Sequence, residues 1–66
     1  MRDIILNGEK RRVAARTVSE LLEELSLSSR FMVIEINKAA VSRSEYSSTN
    51  LSDGDRIEIV SPIGGG

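Results

Sequence analysis

Thr17-Val18-Ser19-Glu20-Leu21-Leu22-Glu23-Glu24-Leu25 is the stretch whose reading decides the fold. Thr17 at the N-cap position with Glu20 three residues on is the pattern of a capping box. Behind it, Val18, Leu21, Leu22 and Leu25 recur at i, i+3, i+4 and i+7, one apolar stripe of an amphipathic helix. Glu20, Glu23 and Glu24 lie off the stripe, and Glu20 and Glu23 complement the positive end of the helix. The spacing predicts a helix over residues 18–26, fading at Ser26-Leu27-Ser28-Ser29, with its acidic face in solvent. One such stripe needs an apolar surface to lie on, and the segments on both sides of it read as strands.

Upstream, Ile4-Ile5-Leu6 leads into Asn7-Gly8 and then Glu9 to Ala15. Asn-Gly is the strongest short hairpin signal, because a type I′ turn needs φ > 0 at both central residues. With those two as the loop, Leu6 opposes Glu9 and Ile4 opposes Arg11, which puts Val13 on the face of Ile4 and Leu6. Glu9 and Arg11 share that face, so the loop end is expected to overhang the core. Downstream, residues 31–36 read as a strand with Met32, Ile34 and Ile36 on one face and Phe31, Val33 and Glu35 on the other. Asn37-Lys38 turns into a short strand near Ala40-Val41. Residues 42–50 are polar, with a helical turn around Arg43 to Tyr46, and Leu51 anchors the segment. Asp53-Gly54-Asp55 turns into Arg56-Ile57-Glu58-Ile59-Val60, where Ile57 and Ile59 face in and Glu58 and Val60 face out. A helix stripe over one face of such a sheet is an α+β domain. Its first and last strands can pair in parallel at the centre.

Composition narrows the function. A chain of 66 residues is one small domain with a thin stability margin. Nine basic and ten acidic residues leave a net charge of −1, which makes no electrostatic case for nucleic acid or an anionic membrane. The basic cluster Lys10-Arg11-Arg12 with Arg16 has no interleaved aromatics for base stacking and reads as a solvated strand face or a docking patch for an acidic partner. There is no bilayer-length apolar run and no signal-peptide pattern, so cytoplasmic residence is expected. The absence of cysteine and histidine removes the thiolate nucleophile, the usual general base at neutral pH and the commonest metal ligand. Asp53-Gly54-Asp55 lacks the alternating ligands of a calcium loop and reads as a turn. A self-sufficient enzyme and a metal site are not expected.

The end of the sequence, Pro62-Ile63-Gly64-Gly65-Gly66, brings a domain no stability, because glycine loses the most entropy on ordering. Pro62 cannot donate to a ladder, so strand pairing is expected to stop near it, dividing residues 1–61 as the folded domain from residues 62–66 as a flexible tail. Four extended residues reach about 13 Å at about 3.3 Å each, enough to thread a carboxylate into a narrow channel on another protein. The same residues read equally as a frayed end or a cloning linker.

Taken in order, Leu6-Asn7-Gly8, Thr17-Val18-Ser19-Glu20-Leu21-Leu22, Glu35-Ile36-Asn37-Lys38, Val41 to Tyr46, Asp53-Gly54-Asp55 and Ile63-Gly64-Gly65-Gly66 resemble the β-grasp, ubiquitin-like sulfur carriers. The likeness is greatest to the thiamine-pathway carriers of the ThiS family. It covers essentially the whole chain, and its specificity lies in the ordered set rather than in any one piece. Many members end in two glycines after another residue, where this chain has three. The resemblance implies a mixed sheet of four to five strands on one helix, and a natural glycine tail.

It also implies a function. In the family, an adenylyltransferase related to ubiquitin-activating enzymes spends ATP on the terminal carboxylate. Sulfur from a persulfide donor displaces AMP to leave a thiocarboxylate, and thiazole synthase takes that sulfur into thiamine's thiazole ring. Carried over, Gly66 bears the reactive carboxylate, and Ile63, Gly64 and Gly65 form the thread in the partner's channel. The chain itself binds no cofactor and is a co-substrate rather than an enzyme. The chemistry suits these residues. An α-carboxylate is an anion at neutral pH, and a mixed anhydride with AMP splits one hard substitution into two easier ones. Phe31, Val33 and Val60, on the outward sheet face, are the candidates for docking the partner. The alternatives are a carrier for molybdopterin synthesis, and a ubiquitin-like modifier or interaction module that carries no sulfur.

Overall fold

The computed structural model describes residues 1–27 and 32–60. Five strands and one helix follow in the order β1 (Arg2–Leu6), β2 (Glu9–Val13), α1 (Val18–Glu24), β3 (Val33–Ile36), β4 (Ala39–Val41) and β5 (Arg56–Val60), with a 3₁₀ turn at Arg43–Glu45 before β5. The strands form one mixed sheet in the order β2-β1-β5-β3-β4. The first and last strands pair in parallel at its centre, and every other neighbour is antiparallel. The expected α+β architecture is therefore present at the upper end of the expected strand count.

The first hairpin has the register that Asn7-Gly8 demands, with Leu6 opposite Glu9, Ile4 opposite Arg11 and Arg2 opposite Val13. Both loop residues have positive φ, +49° and +85°. Val13 and Ile4 are buried, whereas Glu9 and Arg11 on the same face are exposed. The loop end of the hairpin overhangs the core, as the parity required.

The helix is shorter than its periodicity predicts. It ends at Glu24, with Leu25 as C-cap. The reason is a Schellman closure: Leu27 N–H donates to Leu22 C=O at 2.8 Å, Ser26 N–H donates to Glu23 C=O at 3.0 Å, and Ser26 takes φ +58°. At the other end the three orphan N–H groups that follow the N-cap are satisfied, and the next one opens the helix ladder. Val18 donates to Thr49 C=O, Ser19 to Tyr46 C=O, Glu20 to Thr17 Oγ1 and Leu21 to Thr17 C=O. The capping box is thus half formed. The Glu20 carboxylate turns instead to the Arg16 N–H at 2.8 Å. Glu24 accepts from the N–H groups of both Ala14 and Ala15. Two of the three glutamates expected to be merely solvated therefore clamp the β2–α1 connection.

Val18, Leu21 and Leu22 bury against Ile4, Val13, Ile34 and Ile57 of the sheet, joined by Leu51 and by Tyr46, whose burial periodicity did not announce. Met32, Ile36 and Ile59 pack around this centre as partly buried residues, the faces their strand parity assigned. Leu51 anchors the long polar connection as expected, with its N–H on Arg16 C=O. The Asp53-Gly54-Asp55 turn uses its carboxylates on backbone. Asp53 accepts from Asp3 N–H and Asp55 from Ser52 N–H, both at 2.8 Å. No described helix is long and apolar enough to cross a membrane.

Candidate functional site

The helix covers one face of the sheet and, among the described residues, the other face is left bare. Alternation sends Val33 and Glu35 of β3, Glu58 and Val60 of β5, and Ile5 and Lys10 of the first hairpin to the bare side. Register then sorts them into rows. Val33 lies directly opposite Val60, and both are large exposed apolar residues at 49% and 56%. The next row pairs Glu35 with Glu58, and the one after pairs Arg56 with Ile5 and Ile5 with Lys10. Asp3 and Arg12 close the far end with a two-pronged ion pair, Arg12 Nε to Oδ1 at 2.8 Å and Nη2 to Oδ2 at 3.3 Å. The bare face therefore runs apolar, acidic, basic, and its apolar end is the end at which β5 finishes.

The charges are unevenly satisfied. The hydrogen bond from Arg12 holds the Asp3 carboxyl below its ordinary pKa, and the same bond raises that of Arg12. Glu35 and Glu58 are like charges directly across strands, an arrangement that costs stability. A sheet built only for stability would not place them there. A cationic group on a docked surface would relieve them.

Sequence reasoning placed Val33 and Val60 together on the outward face, and the register makes them cross-strand partners. Phe31, Ile63, Gly64, Gly65 and Gly66 lie outside the described residues, as does the expected boundary at residue 61. Two features were missed. The Glu35–Glu58 pair was legible in the parity of each strand but needed the β3–β5 register to become a pair. The side chain of Asn7, read only as a turn former, accepts a hydrogen bond from Ile59 N–H at 2.9 Å, near the end of β5. Among the described residues no group of acidic side chains is arranged to hold a metal ion.

A small mixed sheet on one helix, with β1 and β5 parallel at its centre and a glycine-rich sequence after β5, is matched by known proteins. A model of the ThiS family matches residues 4–66. The chain belongs to the ThiS family. Sulfur carrier protein ThiS of Bacillus subtilis is 35% identical over 63 residues, covering 92% of this chain and 96% of the carrier. The crystal structure of a thiamine biosynthesis protein (ThiS) from Geobacter metallireducens superposes with a TM-score of 0.82 at 28% identity, covering 97% of this chain and 99% of that one. A thiazole synthase of Paramagnetospirillum magneticum is 44% identical over 64 residues, covering 96% of this chain. The chain spans about a fifth of the length of that synthase, 20%.

Proposed function

We propose that this ThiS-family chain is a sulfur carrier of thiamine biosynthesis, a protein co-substrate whose carboxyl-terminal glycine bears the sulfur. The observation that carries the reading is its end-to-end match with a named sulfur carrier, 96% of that protein's length. The likeness to a thiazole synthase favours the thiamine pathway over molybdopterin synthesis and supports thiazole synthase as the acceptor of the sulfur.

The Gly66 carboxylate is the reacting group. One of its oxygens attacks the α-phosphorus of ATP on a partner adenylyltransferase, pyrophosphate leaves, and an acyl adenylate forms. The terminal sulfur of a persulfide donor attacks the acyl carbon and AMP leaves, giving an acyl disulfide. A thiol reductant then cleaves the S–S bond, releasing the thiocarboxylate and forming a new disulfide with the donor sulfur. Gly64 and Gly65 set no side chain beside the reacting carbon, and Ile63 is the last bulky group before them. Val33 and Val60 bind the adenylyltransferase, and a basic side chain of that partner lies over Glu35 and Glu58.

Intact-mass measurement tests the reading. Incubated with ATP, an adenylyltransferase of the ubiquitin-activating type, a persulfide source and a thiol, the chain gains the mass of one oxygen-to-sulfur exchange, located at Gly66. Deleting Gly66 draws the carboxylate back by about 3.5 Å. Since a misplacement of about 1 Å costs on the order of a hundredfold in rate, that variant is adenylated poorly. Deleting Gly65 and Gly66 together abolishes the exchange. Sulfur accepted by the double deletion, or mapped to an internal residue, removes Gly66 from the role. An amide adduct on a lysine identifies a modifier instead.

A further inference from the structure

β1 stops at Leu6, while its parallel neighbour β5 runs on to Val60. The ladder between them starts regularly. Ile5 N–H donates to Asp55 C=O and Asn7 N–H to Ile57 C=O, both at 2.9 Å. In a continued parallel ladder the next donor of β5, Ile59 N–H, would bond to the backbone carbonyl of Asn7. Asn7 instead enters the hairpin turn with φ +49°. Its side-chain Oδ1 takes the place of that carbonyl and accepts from Ile59 N–H at 2.9 Å, across 52 positions of sequence. The amide thus adds one rung to a ladder whose strand has already ended. On the opposite edge the same stretch of β5 is held by β3, through Ile34 opposite Ile59 and Val33 opposite Val60.

We propose that Asn7 is a positioning residue for the carboxyl-terminal reaction. By holding Ile59 it fixes the end of β5, the last described strand before the residues that lead to Gly66. The proposal rests on the carrier reading above. Turn geometry alone does not require asparagine at position 7, because glycine adopts φ +49° with less strain. Only an acceptor at the end of a short side chain reaches Ile59.

The molecule supplies its own control. Asn37 has φ +52°, opens the β3–β4 turn, and accepts from Arg56 N–H through Oδ1 at 3.0 Å. It does for the start of β5 what Asn7 does near its end. The experiment compares Asn7→Gly, Asn7→Asp and Asn37→Gly in the full chain, reading amide hydrogen exchange at Ile59 and steady-state adenylation by the partner enzyme. Asn7→Gly speeds exchange at Ile59 by about tenfold, the loss of one hydrogen bond. It lowers kcat, by up to about a hundredfold for a displacement of about 1 Å, while KM for the carrier stays put because Val33 and Val60 are intact. Asn7→Asp restores both readouts, since a carboxylate oxygen accepts the same bond. Asn37→Gly costs comparable stability and leaves kcat at the wild-type value. A turn-forming role alone reverses the order, with glycine best at position 7. Wild-type kcat in Asn7→Gly, no rescue by Asn7→Asp, or equal impairment in Asn37→Gly overturns the proposal. Should Asn7→Gly not fold, Asn7→Ser, whose hydroxyl stops short of Ile59, is read against Asn7→Asp by the same criteria. A wild-type chain that is never adenylated overturns the carrier reading and the proposal with it, whereas wild-type turnover with unaffected variants overturns the proposal alone.

Discussion

The two faces of the one sheet are built from the same strands yet obey different rules. On the helix side, Ile4, Ile34 and Ile57 are packed out of solvent against Val18, Leu21 and Leu22. On the bare side, Val33 and Val60 stand open beside two glutamates placed across from each other. The helix side is chosen for burial, where each apolar side chain adds on the order of 1.5–3 kcal/mol. The bare side gives up stability, with exposed apolar surface and two like charges set directly across strands. Its apolar end lies where β5 finishes, at Val60.

Four measurements break or sharpen this contrast. The largest effect belongs to the helix side. Leu22→Ala leaves a cavity and costs about 2–5 kcal/mol in chemical denaturation, a large share of the stability of a domain this small. A loss under about 1 kcal/mol would mean that the helix does not seal the core. Second, Val60→Glu on the bare side changes folding stability by no more than about 0.5 kcal/mol. It weakens adenylyltransferase binding by about tenfold or more, the scale of one apolar anchor, as titration calorimetry would record. Unchanged binding by the folded variant removes Val60 from the docking surface.

Third, Glu58→Lys converts the Glu35–Glu58 repulsion into attraction. It raises stability by about 0.2–1 kcal/mol while weakening the partner complex. If both stability and binding improve, the acidic row has no basic counterpart. The smallest effect is at the far end of the face. Arg12 holds the Asp3 pKa below its ordinary value near 3.8, so the pair's contribution is present above that value. It is lost as pH falls through the lowered value, once the folded carboxyl is protonated. Both side chains are two-thirds exposed, at 66%, so the contribution is slight. Thermal melts of wild type and Arg12→Ala should differ a little at neutral pH and converge once the pH has fallen below the lowered Asp3 value.

Much of this fold was legible in the chain because its signals are local. Asn7-Gly8 dictates its own turn and therefore the Leu6–Glu9 register. Thr17 and the Val18–Leu25 stripe announce a helix and its buried side, and strand parity assigns Ile34, Ile57 and Ile59 inward. What escaped was set by contacts that periodicity does not encode, some a few residues away and some far along the chain. Glu20 was expected to complete its capping box on Thr17, but its carboxylate accepts from the Arg16 N–H instead. The helix stopped at Glu24 because Ser26 accepted a left-handed backbone that no sequence rule favours for serine. Tyr46, in a stretch read as polar, is buried because the 3₁₀ turn at Arg43–Glu45 lies over the start of the helix, where Ser19 N–H meets Tyr46 C=O. Of the candidate site, Val33 and Val60 were found by parity. Their pairing, and that of Glu35 with Glu58, waited on a register set by strands some twenty residues apart in sequence.

By itself, then, the sequence determined the kinds of element, their order, which side of each is apolar, and the absence of the cysteine and histidine on which most unaided chemistry depends. These follow from dihedral preference and periodicity, which act over a few residues. Only the tertiary structure decided that β3 would lie beside β5, that Val33 would there meet Val60 in register, and that the Asn7 side chain would extend the β1–β5 ladder past the end of β1. Such pairings are chosen by burying one shared core beneath a single helix. That is a property of the whole chain, and no short window of it carries the information.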